Sequence, residues 1–138
     1  MSEKFTVAVP VRYRDLDPMD HVNHAVYASY LEAARTDYIE AVLEIPQEEL
    51  AFVIANLEIS YERPITMDDE PTVALEVTDL GDSSCTMAYE IRTGDEIAAT
   101  AETTIVRVDP DTGHPTPLSD AVRNRVREFE ELEAPAYS

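Results

Sequence analysis

Cysteine is almost missing from this chain. Cys85 is the single one, which excludes an intramolecular disulfide and any metal cluster built on cysteines. Lysine is reduced to Lys4; the remaining nine of the ten basic residues are arginines, set against 29 acids for a formal net charge of -19. A charge of that sign repels nucleic-acid phosphates and anionic membrane surfaces, which excludes a basic-patch nucleic-acid binder and a membrane-surface protein. No apolar run approaches the ~20 residues of a membrane span. Glycine occurs only at Gly81, Gly94 and Gly113, too few and too scattered for a phosphate-cradling loop. The opening MSEKFTVAVP shows no charged leader followed by a long apolar stretch, so the expectation is a cytoplasmic protein without a secretory leader. The acids are spread along the whole chain rather than gathered in one tail. A lysine-poor, uniformly acidic surface is the pattern of a salt-adapted protein, because hydrated carboxylates keep a chain dispersed where screening is strong.

What is present describes an ordinary core. The chain has 138 residues, 44% hydrophobic and 28% charged, the size of one domain over residues 1–138. Thr6 to Arg14 alternates Val7, Val9 and Val11 as a strand does, with Pro10 marking an edge or an irregular start. From His24 the period changes: Val26, Tyr27, Tyr30, Leu31, Ala34, Tyr38 and Val42 recur every three or four residues, an amphipathic helix of about five turns. Asn23 is placed to cap it and Pro46 to stop it. Four strand patterns follow, over Phe52–Tyr61, Thr72–Thr78, Ser84–Arg92 and Ile97–Val108, with turn signals at Gly81-Asp82 and Thr93-Gly94-Asp95. Ser119 then caps a short helix carrying Val122, Val126 and Phe129. Strands in succession with short connections imply antiparallel pairing, and the order excludes a Rossmann-type fold, which alternates strands with helices. The expected class is α+β, a five-stranded antiparallel sheet wrapped round one long helix. One helix covers such a sheet poorly, so a second subunit is expected.

The segment Asp15-Leu16-Asp17-Pro18-Met19-Asp20-His21-Val22-Asn23-His24 obeys neither period. It brings three carboxylates, two imidazoles and an amide to the start of a helix. There, unpaired backbone N–H groups and the helix dipole favour an oxyanion, and a neighbouring carboxylate can attack a carbonyl or activate water. Capping and dipole compensation account for the same residue types. A metal reading fits less well. The Asp-x-Asp start meets Met19 and Asp20 where a calcium loop requires a ligand and a glycine, and no HExxH pattern exists. Cys85 falls in an alternating strand and reads as core; His114 follows a turn glycine and reads as exposed. Arg63, at a strand end before Pro64, can meet a ligand phosphate or a surface acid.

Taken in order, Tyr13 to Tyr27, the helix continuation Tyr30-Leu31-Glu32-Ala33-Ala34-Arg35, the strand Leu57 to Pro64, and Val108-Asp109 to Gly113 followed by Pro117-Leu118 resemble the 4-hydroxybenzoyl-CoA thioesterase-like branch of the hotdog-fold superfamily. The resemblance spans nearly the whole chain. It implies a hotdog fold dimerised so that two sheets run continuously, possible pairing of dimers into a homotetramer, active sites at the dimer interface, and no metal or redox cofactor. It implies an acyl-CoA substrate hydrolysed to free acid and CoA. By the same resemblance Asp17, the second Asp of the pair, is nucleophile or general base, and the His24 backbone N–H is the oxyanion donor. His21 matches a histidine that takes part in related acyl-ACP thioesterases, although Met19 stands where those carry Asn. Asn23 orients the thioester or caps the helix, and Tyr27 lies on the helix face that would line the acyl pocket. Two residues depart from the family pattern: Asp20 stands where glycine is common, and His24 replaces Asn or an aromatic. A non-catalytic acyl-CoA-binding or assembly module on the same fold is the alternative. A hotdog hydratase fits less well, because Pro18, Met19 and Asp20 do not reproduce that branch's run between its Asp and His.

Overall fold

The computed structural model describes residues 5–45 and 51–131. In chain order it contains β1 (Thr6–Ala8), a 3-10 turn (Tyr13–Asp15), α1 (Val26–Tyr38), a π turn (Ile39–Leu43), β2 (Phe52–Tyr61), β3 (Thr72–Leu80), β4 (Ser84–Thr93), β5 (Glu96–Arg107) and α2 (Asp120–Glu130). The strands form one five-stranded sheet in the order β1-β3-β4-β5-β2, with every neighbouring pair antiparallel. Among the described residues no helix is long and apolar enough to cross a membrane.

Two strand expectations are corrected. The first strand is shorter than Thr6–Arg14: Val9 still donates to the Pro71 carbonyl at 3.0 Å, but Pro10 has no N–H to continue the ladder. The chain then bends into the 3-10 turn instead. The four later strands are not all joined by hairpins. Only β3, β4 and β5 follow one another as neighbours, whereas β2 lies at the far edge, paired with β5 from Phe52↔Arg107 to Tyr61↔Ala99. The connection over residues 62–71 carries the chain from that edge across the sheet to β3, which lies between β1 and β4. It is anchored by Ile65, which is fully buried, and by the Glu62 and Arg63 amides, which both donate to the Ala98 carbonyl.

The alternation read from the sequence defines the core. Val73, Ile91 and Ala99 lie in register across three strands, as do Val77, Met87 and Thr103, and all six are buried. Onto them α1 lays Tyr27, Leu31, Ala34 and Tyr38, one helical stripe that is almost wholly enclosed. Each such buried large apolar side chain contributes about 1.5–3 kcal/mol. Cys85 belongs to this layer: it is buried and burial pushes its thiol up to about 12, so it is a core residue and not a nucleophile. The helix starts at Val26 rather than His24. It ends at Tyr38, the π turn carries the chain on to Leu43, and Glu44 then takes a left-handed conformation at φ 49°; Pro46 lies outside the described residues.

α2 closes the other end. Ser119 caps it as expected, its Oγ accepting from the Val122 amide at 3.3 Å, and Val122 and Val126 are buried. In the last turn Glu130 Oε2 accepts from the Tyr38 hydroxyl and from the Val77 amide, both at 2.7 Å. The β3–β4 register shifts between Val77 and Asp79, so one carboxylate ties both helices to the sheet at that irregularity. Glu130→Ala is expected to lower stability by about 2–3 kcal/mol, because two donors lose a charged acceptor. The check is a urea titration in which the midpoint falls with the slope unchanged, while Glu130→Gln, which keeps an acceptor oxygen, falls less.

Candidate active site

The loop before α1 is built by its own backbone chemistry. Asp17-Pro18-Met19-Asp20 forms a turn closed by the Asp20 amide donating to the Asp17 carbonyl at 3.0 Å, with Asp at the first position and Pro at the second as such turns prefer. Asp17 N–H donates to the His21 carbonyl at 2.8 Å, Leu16 pairs with Val22, and His21 pairs with Thr66 in the crossing connection. The Val22 amide reaches the Ile65 carbonyl at 2.7 Å, and the Asn23 amide the Asp15 carbonyl at 2.8 Å. The loop is thus a small hairpin pinned on both sides.

This wiring separates the two carboxylates of the Asp-x-Asp pair. Asp15 Oδ2 accepts from the Arg12 amide at 2.9 Å and from the Tyr30 hydroxyl at 3.1 Å. Burial, then the Asp15 carboxylate, pushes the Tyr30 phenol well above its usual range, so this donor stays protonated and Asp15 is held as structure. Asp17 is half-buried, and its Oδ1 accepts from the Met19 amide at 2.9 Å and the His21 amide at 3.2 Å. Its Oδ2 has no hydrogen-bond partner among the described residues. A carboxylate fixed through one oxygen and open at the other is suited to attack a carbonyl or to take a proton from water.

Two residues further along the chain prepare the helix start. Asn23 Oδ1 accepts from the Ala25 amide at 2.9 Å, so its side chain organises the turn that feeds α1, while Ala25 occupies the cap position itself. The His24 N–H finds no acceptor among the described residues, and it lies at the positive end of the α1 dipole. On the other side of that residue, the His24 carbonyl accepts from the Tyr61 hydroxyl at 2.9 Å. The His21 ring makes no hydrogen bond among the described residues.

Tyr27 and Arg63 sit beside this start, though less openly than a ligand contact suggests. Tyr27 is 3% exposed, its hydroxyl reaches the Arg63 carbonyl at 3.5 Å, and burial raises its phenol above the usual range. Tyr61, at the end of β2, stands edge-on to it with ring centroids 4.9 Å apart, and at 49% exposure presents the accessible aromatic surface of this corner. Arg63 is ion-paired with Glu96. Tyr61 and Glu96 escaped sequence reading because both are ordinary strand-end residues; the only trace of Tyr61 is an aromatic ending an otherwise aliphatic alternation.

A family model described as the thioesterase-like superfamily matches residues 11–126. The chain belongs to that superfamily. Members of known structure share its architecture: a thioesterase from Thermus thermophilus, solved in complex with coenzyme A and zinc, is 39% identical and superposes with a TM-score of 0.87 over 97% of this chain and 100% of its own. The long-chain acyl-CoA thioesterase FadM of Escherichia coli K12 is 30% identical over 126 residues, 88% of this chain and 96% of that protein. The acyl-CoA thioester hydrolase YbgC of Escherichia coli O6:H1 is 29% identical over 77% of this chain and 83% of its own. The chain is accordingly a thioester hydrolase with the hotdog fold expected from its sequence.

Within this thioesterase fold the departure at Asp20 has a physical meaning. Asp20 has φ 63°, a left-handed conformation that costs an L-residue roughly 1–2 kcal/mol and glycine nothing, which is why glycine suits the position. Asp20→Gly is expected to raise stability by about 0.5 kcal/mol, the relief of strain less the extra chain entropy of glycine. The β-branched Asp20→Val is expected to lower it by at least ~1 kcal/mol. Paired chemical denaturation curves check both; a Val variant as stable as wild type contradicts the assignment of strain.

Proposed function

We propose that this thioesterase hydrolyses acyl-CoA thioesters to a free acid and CoA, with Asp17 as nucleophile or general base. The observation that carries the reading is one short loop that, among the described residues, holds a carboxylate with a free oxygen, Asp17, and an amide without an acceptor at a helix start, His24. In one form of the step Asp17 attacks the thioester carbonyl carbon, CoA leaves as thiolate, and water then cleaves the acyl-aspartyl anhydride. In the other Asp17 takes a proton from a water whose oxygen attacks the carbonyl carbon, and the C–S bond then breaks to release CoA as thiolate. In both, the developing oxyanion accepts from the His24 N–H, an interaction stronger in the transition state than in the ground state. Asn23 serves by shaping the helix entry, and His21 is held beside Asp17 by its own backbone. The names of FadM and YbgC, and the coenzyme A bound to the Thermus thermophilus thioesterase, support an acyl-CoA as substrate.

The working unit we propose is a homodimer. β2 is an edge strand of ten residues, and Val53, Ile54, Leu57 and Tyr61 along it are 43–49% exposed. A long apolar edge invites pairing with another chain, and an isologous contact across β2 makes the two sheets continuous. It also walls the space beside Tyr61 and the start of α1, completing an acyl pocket over Tyr27. Pairing of dimers into a tetramer is compatible with this interface. The acidic, lysine-poor surface fits work in a high-salt cytoplasm, so the assays belong in molar KCl.

Thiol release from short, long and aromatic acyl-CoAs is expected for wild type and to fall at least ~100-fold in Asp17→Asn, the scale of a lost catalytic group. No release on any ester with CoA-ester binding retained returns the non-catalytic module. Sedimentation velocity is expected to show wild type as a dimer or tetramer and Leu57→Glu as a monomer, with turnover lost in step. A monomeric, fully active wild type contradicts the interface.

A further inference from the structure

Coenzyme A brings several phosphate charges to a chain whose net charge is -19, so a phosphate subsite requires cations not already engaged. Most of the arginines are engaged. Arg63, Arg92 and Arg125 face Glu96, Glu90 and Glu44. Arg107 and Arg123 donate to backbone carbonyls, and Arg35, on α1, donates to the Tyr89 hydroxyl. Arg12 and Arg14 are different. Both are exposed, they stand two residues apart at the 3-10 turn, and among the described residues neither guanidinium has an ion-pair partner. Arg127 is also without one, but it stands alone on α2, at the far end of the fold from the loop.

The two arginines border a groove of about 550 Å³ between β1 and α1, which also takes in Pro10, Val26, Ser29 and Thr36. Two carboxylates share it. Asp15 is held by the Arg12 amide and the Tyr30 hydroxyl, and Asp37 lies seven residues beyond Tyr30, ~10 Å along the helix at 1.5 Å per residue. The Asp15 carbonyl accepts from the Asn23 amide at 2.8 Å, so this turn and the loop bearing His24 are tied together directly.

We propose that Arg12 and Arg14 form the phosphate subsite of the bound acyl-CoA. The proposal rests on the thioesterase reading and deepens it by transferring to this pair the role that sequence alone offered to Arg63. A guanidinium presents a planar fork matched to phosphate oxygens and keeps its charge across the working pH range. Two such forks can hold one phosphate from both sides or span the diphosphate and the 3′-phosphate.

The test compares Arg12→Gln/Arg14→Gln with wild type on three thioesters of the same acid: acyl-CoA, acyl-dephospho-CoA, which lacks the 3′-phosphate, and acyl-pantetheine, which lacks every phosphate. KM for acyl-CoA is expected to rise about 10-fold or more, the loss of at least one charge-assisted hydrogen bond, with kcat held and acyl-pantetheine turnover unaffected. The acyl-dephospho-CoA arm assigns the 3′-phosphate or the diphosphate. Arg12→Lys/Arg14→Lys, which keeps the charge and the fold, is expected to recover part of the loss; Arg127→Glu, which shifts the net charge by the same two units, controls for net charge. Equal KM for acyl-CoA in wild type and the Gln variant, or an equal rise with acyl-pantetheine, overturns the proposal. Calorimetric titration with CoA itself separates this from the thioesterase reading. Should wild type turn over no ester, weaker CoA binding by the Gln variant still upholds the subsite, whereas unchanged or absent binding overturns it.

Discussion

The structure depends on one packing constraint: a single long helix has to roof a five-stranded sheet. The stripe Tyr27, Leu31, Ala34 and Tyr38 is buried against strands whose inward residues stay in register across β3, β4 and β5. Because that stripe runs the length of α1, the helix start is fixed beside the end of β2, where Tyr61 reaches the His24 carbonyl. The same limit leaves β2 without a roof. A face that one helix cannot cover is what the proposed second subunit would bury.

The loop at that helix start shows how a folded backbone can sort chemically equal groups. Asp15 and Asp17 are two residues apart and identical in type. One is held through its carboxylate by Tyr30 and the Arg12 amide; the other is held through one oxygen only, by its own turn. That difference is what singles out Asp17 for the proposed role, since an oxygen already surrounded by donors is a poorer nucleophile and a poorer base. The strained backbone at Asp20 belongs to the same design: the turn that aims Asp17 requires a left-handed residue at its exit.

Charge is the second constraint. With 29 acids and ten bases in the chain, arginine is scarce, and most guanidiniums do structural work. Arg123 and Arg125 fasten α2 to carbonyls at Gly81, Asp82 and Leu43. In such a background Arg12 and Arg14, without an ion-pair partner among the described residues, carry more weight than they would in a balanced protein, because the remaining surface repels an anionic ligand.

The sequence by itself determined the elements and the kind of chemistry. Alternating β-branched residues can bury one face only as strands, the three-and-four spacing from Val26 to Val42 can do so only as a helix, and Ser119 caps α2 where its hydroxyl can accept an amide. The motif from Tyr13 to Tyr27 indicated a thioesterase because local spacing carries a loop and a helix start together. What local spacing does not carry is which segments meet. The hold of Tyr30 on Asp15 spans 15 positions and the reach of Tyr61 to His24 spans 37. The placement of β2 at the far edge and the ion pair that engages Arg63 likewise join distant stretches of chain. Only tertiary structure decided them, because the free energy that selects such contacts comes from burying the whole core at once and not from any single stretch of chain.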